Sequence, residues 1–134
     1  RSYSSAASDV YKRQALEGIA LSVATLVELA GEALGHDLRE LAVDGGAAAS
    51  DPLLQAQADS TGLPVRRPRN LESTARGIAL FAGVQCGLIP DLSAIADHRE
   101  DDVQRFEPQI NTERRRHQRD RWNDAVNRSL GWHG

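Results

Sequence analysis

Between residues 15 and 34 the apolar side chains Leu16, Ile19, Ala20, Val23, Leu26, Val27, Ala30 and Leu34 recur at spacings of three and four. That is one face of a long amphipathic helix, and Gly35 supplies its stop. The pattern then changes. In residues 38–43 the apolar positions Leu38, Leu41 and Val43 are interrupted by Arg39, Glu40 and Ala42, and the run ends at Gly45-Gly46, which predicts a short strand and a turn. Ser50 offers an N-cap hydroxyl and Pro52 suits a first helical turn, so a second helix is expected from there to about Thr61, with Gly62 as its end. Leu63-Pro64-Val65-Arg66-Arg67-Pro68 reads as extended, because each proline biases its predecessor away from helix. Strand, helix and strand within some thirty residues make a βαβ unit with parallel strands, hence an α/β fold.

Further along, Ala75, Ile78, Ala79, Ala82 and Cys86 form one stripe of a helix over 73–86, ended by Gly87. Asp91 caps a short helix through Ala96. Residues 97–109 are charged and mostly irregular, with Val103, Phe106 and Pro108 suggesting an extended stretch along the surface. Asn111 or Thr112 caps a last helix that carries Trp122, Ala125, Val126 and Leu130 toward the core. No internal repeat is visible.

A chain of 134 residues has room for one modest core, either a domain or part of one. With a formal net charge of -3 it has no global attraction for nucleic acid or anionic lipid. The longest weakly polar run, residues 77–89, is broken by Gln85 and falls short of the ~20 residues a bilayer crossing needs, so no membrane span is expected. Cys86 is the one cysteine; it has no internal disulfide partner and reads as a small buried apolar residue in a reducing compartment, the cytoplasm.

Fifteen arginines stand beside a single lysine, Lys12, which lies in residues 1–13 together with both tyrosines, Tyr3 and Tyr11. That segment has little apolar surface with which to order itself. It is read as a foreign scar joined to a truncated gene, or alternatively as a genuine disordered tail.

Candidate chemistry centres on the diglycine. A strand ending in Gly45-Gly46 and feeding a helix turns backbone N–H groups and a positive dipole end toward an approaching anion, and the missing side chains allow close approach. Plain turn glycines are the alternative, as a plain N-cap is for Ser50. None of His36, His98, His117 and His133 is spaced with another or with the cysteine for metal binding, so no metal ligand is assigned. No catalytic carboxylate pair is identifiable, because Asp97 to Asp102 form a charged, solvated cluster. The run from Arg114 to Arg121 lacks interleaved aromatics and contains Asp120, which argues for a charged outer helix face over a nucleic-acid surface.

The string Val43-Asp44-Gly45-Gly46-Ala47, followed by Gln55, Gln57 and Asp59, resembles the nucleotide-domain motif of the FGGY carbohydrate kinases, with Ser50 where that family usually has asparagine. The resemblance extends over about residues 14–132 through Ala15-Leu16-Glu17-Gly18, Gly62, Pro64-Val65, Arg67-Pro68, Glu72, Thr74-Ala75, Gly77, Phe106, Pro108 and Arg128-Ser129-Leu130-Gly131-Trp132. Several motifs in the right order are more specific than any one alone.

The resemblance implies a partial actin-like, ribonuclease H-like nucleotide-binding domain with a βαβ unit and flanking helices. Residues 14–134 would be the C-terminal part of the family's C-terminal domain. It further implies a cytoplasmic ATP-dependent kinase, using Mg2+ as the nucleotide complex, with glycerol as acceptor and self-assembly when intact. Gly46 N–H would contact the α-phosphate, Ser50 would contact the nucleotide, and Gly45 is counted with them as a nucleotide-binding residue. Asp44 either shapes the turn or touches ligand, and a cap before residue 73 accounts for Glu72 and Thr74. The aspartate that takes the acceptor's hydroxyl proton belongs to the family's N-terminal domain, so no catalytic residue is assigned here, and the chain alone is expected to be inactive. The alternatives are another FGGY sugar or polyol kinase, or a noncatalytic actin-like binding module.

Overall fold

The computed structural model describes residues 4–69, 71–91, 93 and 103–131. In chain order it contains α1 (Ser4–Leu34), β1 (Leu41–Ala42), a 3-10 turn (Gly46–Ala49), α2 (Asp51–Thr61), β2 (Val65–Pro68), α3 (Ser73–Gln85), β3 (Val103–Phe106) and α4 (Thr112–Ser129). The three strands form one sheet in the order β1-β2-β3.

The βαβ unit has the expected hand-over. Leu41 pairs with Val65 and Ala42 with Arg66 in parallel register, supported by Leu41 N–H to Pro64 O at 2.9 Å and Val43 N–H to Arg66 O at 3.0 Å. β3 realises the extended stretch expected at Val103 and Phe106 but corrects its expected course along the surface. It pairs antiparallel with β2, Val65 opposite Phe106 and Arg67 opposite Gln104, and Phe106 is buried rather than spread along the surface. Its pairing partner lies some forty residues away in sequence, so no local pattern reveals it. Leu54 and Ala58 from α2, Val65 and Phe106 form the core, with Leu41 and Val43 packed beside them.

Helix α1 begins at Ser4, well before the expected Ala15, so 4–13 are helical where composition suggested disorder. No glycine or proline interrupts residues 4–17, and Lys12–Asp9 (3.8 Å) and Arg13–Glu17 (2.9 Å) pair along the helix surface. The face it buries also differs from the expected one. Ala20 and Ala24 are fully buried, whereas Ile19, Leu26, Leu29 and Leu34 are exposed. α1 packs on α2, and the small alanine side chains permit a close helix approach. Because apolar residues occur around much of α1, periodicity alone could not select the contact face. Residues 7–34 of this helix are long and apolar enough by composition to cross a membrane, with a mean hydropathy of 1.2, a longer apolar stretch than the 77–89 run. The same test is passed by the buried core helices of soluble proteins and by signal sequences.

Three further expectations are corrected. The α3 stripe is open: Ala75, Ile78, Ala79 and Ala82 are exposed, as is Phe81 outside it, and so is Cys86, the expected buried thiol. What closes this helix is local, with Leu88 and Ile89 N–H groups donating to Gly83 O at 2.9 and 3.1 Å and Gly87 at φ 71°. In α4 the cap is Asn111, whose side chain accepts from Arg114 N–H at 2.8 Å, but Ala125, Val126 and Leu130 are exposed. Trp122 is half-buried, its ring edge over Gly18. The buried residue of α4 is Arg119, which pairs with Glu28 of α1. Asp91 accepts from Ser93 N–H at 2.8 Å. The rest of the expected 91–96 helix, the 97–102 acidic cluster, His98, Trp132 and His133 lie outside the described residues.

Candidate functional site

Strand β1 delivers the chain into the diglycine, and the two glycines do different work. Gly45 adopts φ 77°, ψ 177°, a region essentially closed to residues with a β-carbon. Its N–H donates to Leu71 O at 3.0 Å, so it fastens the turn to the segment after β2 and is not free for an anion.

Gly46 is the opposite case. Its φ lies outside the left-handed range, and a β-carbon built on it would meet nothing within 4 Å. The turn is closed around it, with Ala48 N–H donating to Gly45 O at 3.0 Å and Ser50 N–H to Ala47 O at 3.1 Å. Neither backbone conformation nor packing requires glycine at 46. Gly46 is exposed, and the missing side chain leaves room beside its backbone for close approach of an anion.

Ser50 sits further along the same turn, with extended backbone (φ -89°, ψ 99°), and its Oγ accepts from Leu53 N–H at 3.4 Å. The N-cap role is therefore realised, and the hydroxyl proton remains available for donation to a ligand. The N-terminal end of α2 and its partial positive charge lie directly behind the turn. Asp44 is exposed. Glu72 precedes α3 without a side-chain capping bond, so the capping account of Glu72 is not seen.

Gly45, Gly46 and Ser50 thus share one turn without sharing one enclosed cavity. The adjacent cleft, about 390 Å3, is lined by Ala49, Arg67, Pro68, Arg69, Leu71 and Gln104, and it lies beside the turn with two arginines on its wall. Arg67 is the principal residue that motif reading passes over. The motif carries it only as half of an Arg-Pro pair, yet its Nη1 donates to Ala48 O at 2.7 Å and its Nη2 reaches Asp51 Oδ1 at 2.7 Å. The spacing of Arg67 from the turn in sequence carries no signal of that contact.

The Gln-x-Gln-x-Asp motif has a structural role. Asp59 Oδ1 accepts from Gln109 N–H at 2.6 Å and from Gln55 Nε2 at 3.2 Å, and Gln55 Nε2 also donates to Glu107 O at 2.9 Å. These bonds tie α2 to the connector between β3 and α4. Of the arginine run, Arg115 and Arg119 turn inward, Arg115 donating through Nε to Asp59 O at 2.8 Å, so the run is not a uniform basic surface. Among the described residues no three His, Cys, Asp or Glu side chains are grouped to hold a metal.

Residues 4–86 match the model of the FGGY family of carbohydrate kinases, C-terminal domain. Over 120 residues, 90% of this chain, it is 48% identical to a glycerol kinase of Citrifermentans bemidjiense and 47% identical to one of Pseudothermotoga lettingae, in each case 24% of the relative. The chain therefore spans about a quarter of the length of the curated relatives it matches. Among solved structures, a Plasmodium falciparum glycerol kinase with ADP superposes with a TM-score of 0.69 at 28% identity, covering 86% of this chain and 23% of that one. With that family match over most of its length and a mixed α/β neighbour of the actin-like class, the chain belongs to the FGGY family of carbohydrate kinases, within the C-terminal domain.

Proposed function

We propose that this chain supplies part of the nucleotide seat of an ATP-dependent glycerol kinase, which transfers the γ-phosphoryl group of ATP to a terminal hydroxyl of glycerol in the cytoplasm. The observation that carries the reading is Gly46, a glycine that the fold itself does not require, on a turn beside a helix N-terminus.

Phosphoryl transfer depends chiefly on holding the phosphates and neutralising their charge. Gly46 N–H donates to an α-phosphate oxygen, and the absence of a side chain lets that oxygen reach hydrogen-bond distance. Ser50 keeps its capping bond to Leu53 and donates its own hydroxyl proton toward the nucleotide. The asparagine usual at this position would bring a longer reach and a second donor. The N-terminal end of α2 adds attraction for the phosphates, while Asp51, whose charge would oppose it, is paired with Arg67. Mg2+ arrives with the nucleotide, where it offsets phosphate charge. No residue of this chain is assigned the proton-accepting step.

The glycerol kinase relatives, and the ADP carried by the Plasmodium falciparum glycerol kinase structure, support glycerol and ATP over another polyol and nucleotide. The test is to join this chain to the upstream part of the Citrifermentans bemidjiense relative. Glycerol-dependent ADP release, with the KM for ATP raised at least about tenfold by Gly46→Val through obstructed phosphate approach, supports the assignment. No turnover by the folded chimera overturns the kinase assignment, and an unchanged ATP response removes Gly46 from the site.

A further inference from the structure

We propose that Arg67 is the positioning residue of the phosphate-facing turn, acting on nucleotide through Gly46 and Ser50 without touching it; this rests on the nucleotide reading above. Arg67 lies on the central strand, and its side chain is only 15% exposed. One guanidinium engages three elements. Nη1 donates to Ala48 O in the middle of the 3-10 turn at 2.7 Å. Nη2 meets Asp51 Oδ1 in the first turn of α2 at 2.7 Å and donates to Gln104 Oε1 on β3 at 2.5 Å. The guanidinium carbon stands 5.2 Å from the centroid of the Phe106 ring, a cation–π arrangement that fixes the plane of the group.

The turn needs such a brace. A four-residue 3-10 segment has poor internal hydrogen-bond geometry, and Gly45 and Gly46 on its leading side are the least conformationally restricted residues available. Ala48, whose carbonyl Arg67 holds, stands midway between Gly46 and Ser50 and is itself buried. Fixing that carbonyl fixes the direction of the Gly46 N–H and the Ser50 hydroxyl on either side of it. The pairing with Asp51 has a second effect, because an unpaired carboxylate in the first turn of α2 would repel a phosphate at the same helix end. Both Nη groups already have partners, which separates this role from direct phosphate binding. A lysine would bring one point charge where a planar fork spans three acceptors.

The experiment uses the joined kinase carrying this chain as its C-terminal part, with Arg67→Lys and Gln104→Ala. The expected result for Arg67→Lys is a KM for ATP about tenfold higher, with kcat within about threefold and the KM for glycerol unchanged. Hydrogen-exchange mass spectrometry should show exchange about tenfold faster in peptides covering 46–53, with little change over 54–61. Gln104→Ala removes one of the guanidinium's partners without altering its charge and should move both readouts the same way by less, so the proposal stays testable if Arg67→Lys folds poorly. Equal losses across kcat and both KM values in folded Arg67→Lys overturn the proposal, because they describe general damage. So does a slow-exchanging turn in both variants. If Gly46→Val raises the KM for ATP while folded Arg67→Lys does not, the proposal falls alone. If exchange accelerates but both substitutions leave the KM unchanged, the nucleotide reading falls and Arg67 stands as a brace of the turn.

Discussion

Arg115 of α4 lays its guanidinium across Gly62 at the end of α2, with Nη1 2.7 Å from where a β-carbon on that glycine would stand. Its Nε donates to Asp59 O at 2.8 Å and its Nη2 to Ile110 O at 3.2 Å, so a carbonyl in the last turn of α2 is satisfied by a residue of the final helix. Gly62 is thus required twice, by φ 75° and by the arginine above it. Gly62→Ala should cost about 1–2 kcal/mol for the left-handed backbone alone, with a further loss from displacing Arg115. Chemical denaturation of the single and Arg115→Ala double variants checks this. A cost no larger in the wild-type background than in the Arg115→Ala background would show that the contact contributes nothing.

The diglycine predicts an asymmetry. Gly45→Ala forces a β-carbon into φ 77°, ψ 177° and should destabilise by about 1–3 kcal/mol. Gly46→Ala meets open space and should alter stability by less than about 0.5 kcal/mol, while weakening ADP binding in the joined kinase. Thermal melts beside ADP titrations separate the two, and a Gly46→Ala variant as unstable as Gly45→Ala would make Gly46 a residue of the fold.

The parts of the structure set by local chemistry are legible from sequence. Ser50 and Asn111 cap their helices through short-range bonds, Gly35 and Gly62 end theirs at positive φ, and the prolines around Val65 mark the second strand. Long-range geometry is not. The pairing of Phe106 with Val65 and the reach of Arg67 to Ala48 depend on how distant segments meet, which no window along the chain encodes. The buried face of α1 escapes a sequence reading for a different reason, since Ala20 and Ala24 are outweighed by larger apolar neighbours that stay exposed. At the site, the diglycine string is readable, but the differing roles of Gly45 and Gly46 require their dihedral angles and surroundings.

Asp59 illustrates a motif residue whose contribution is structural. Asp59→Ala removes the acceptor of Gln109 N–H and of Gln55 Nε2 and should cost about 1–3 kcal/mol. Asp59→Asn, which keeps one oxygen, should cost less. Urea melts of both variants test the ordering, and equal stability of Asp59→Ala and the parent would show the network to be dispensable.

The exposed apolar side chains Ile19, Leu26 and Leu29 on α1, with Ile78 and Phe81 on α3, predict hydrophobic-dye binding by the isolated chain. Leu26→Lys combined with Phe81→Lys should lower the dye signal and any self-association seen by light scattering. A monodisperse parent with no dye signal contradicts an open apolar surface.

The 134-residue chain by itself should not phosphorylate glycerol and should bind ATP weakly or not at all. Gly46 and Ser50 present donors from one turn, and the neighbouring cleft is lined by neither, whereas transfer requires the nucleotide and acceptor to be held on all sides in reactive alignment. No carboxylate of this chain is assigned to accept the glycerol proton, and without charge positioned around the γ-phosphate the barrier to transfer stays high. Coupled ADP-release assays on purified chain, with and without glycerol, measure this directly. Equal rates in both are expected, and turnover above background only when the upstream portion of a related kinase is joined. Glycerol-dependent ADP release by the chain alone, free of contaminating kinase, would mean that its own side chains complete an active site.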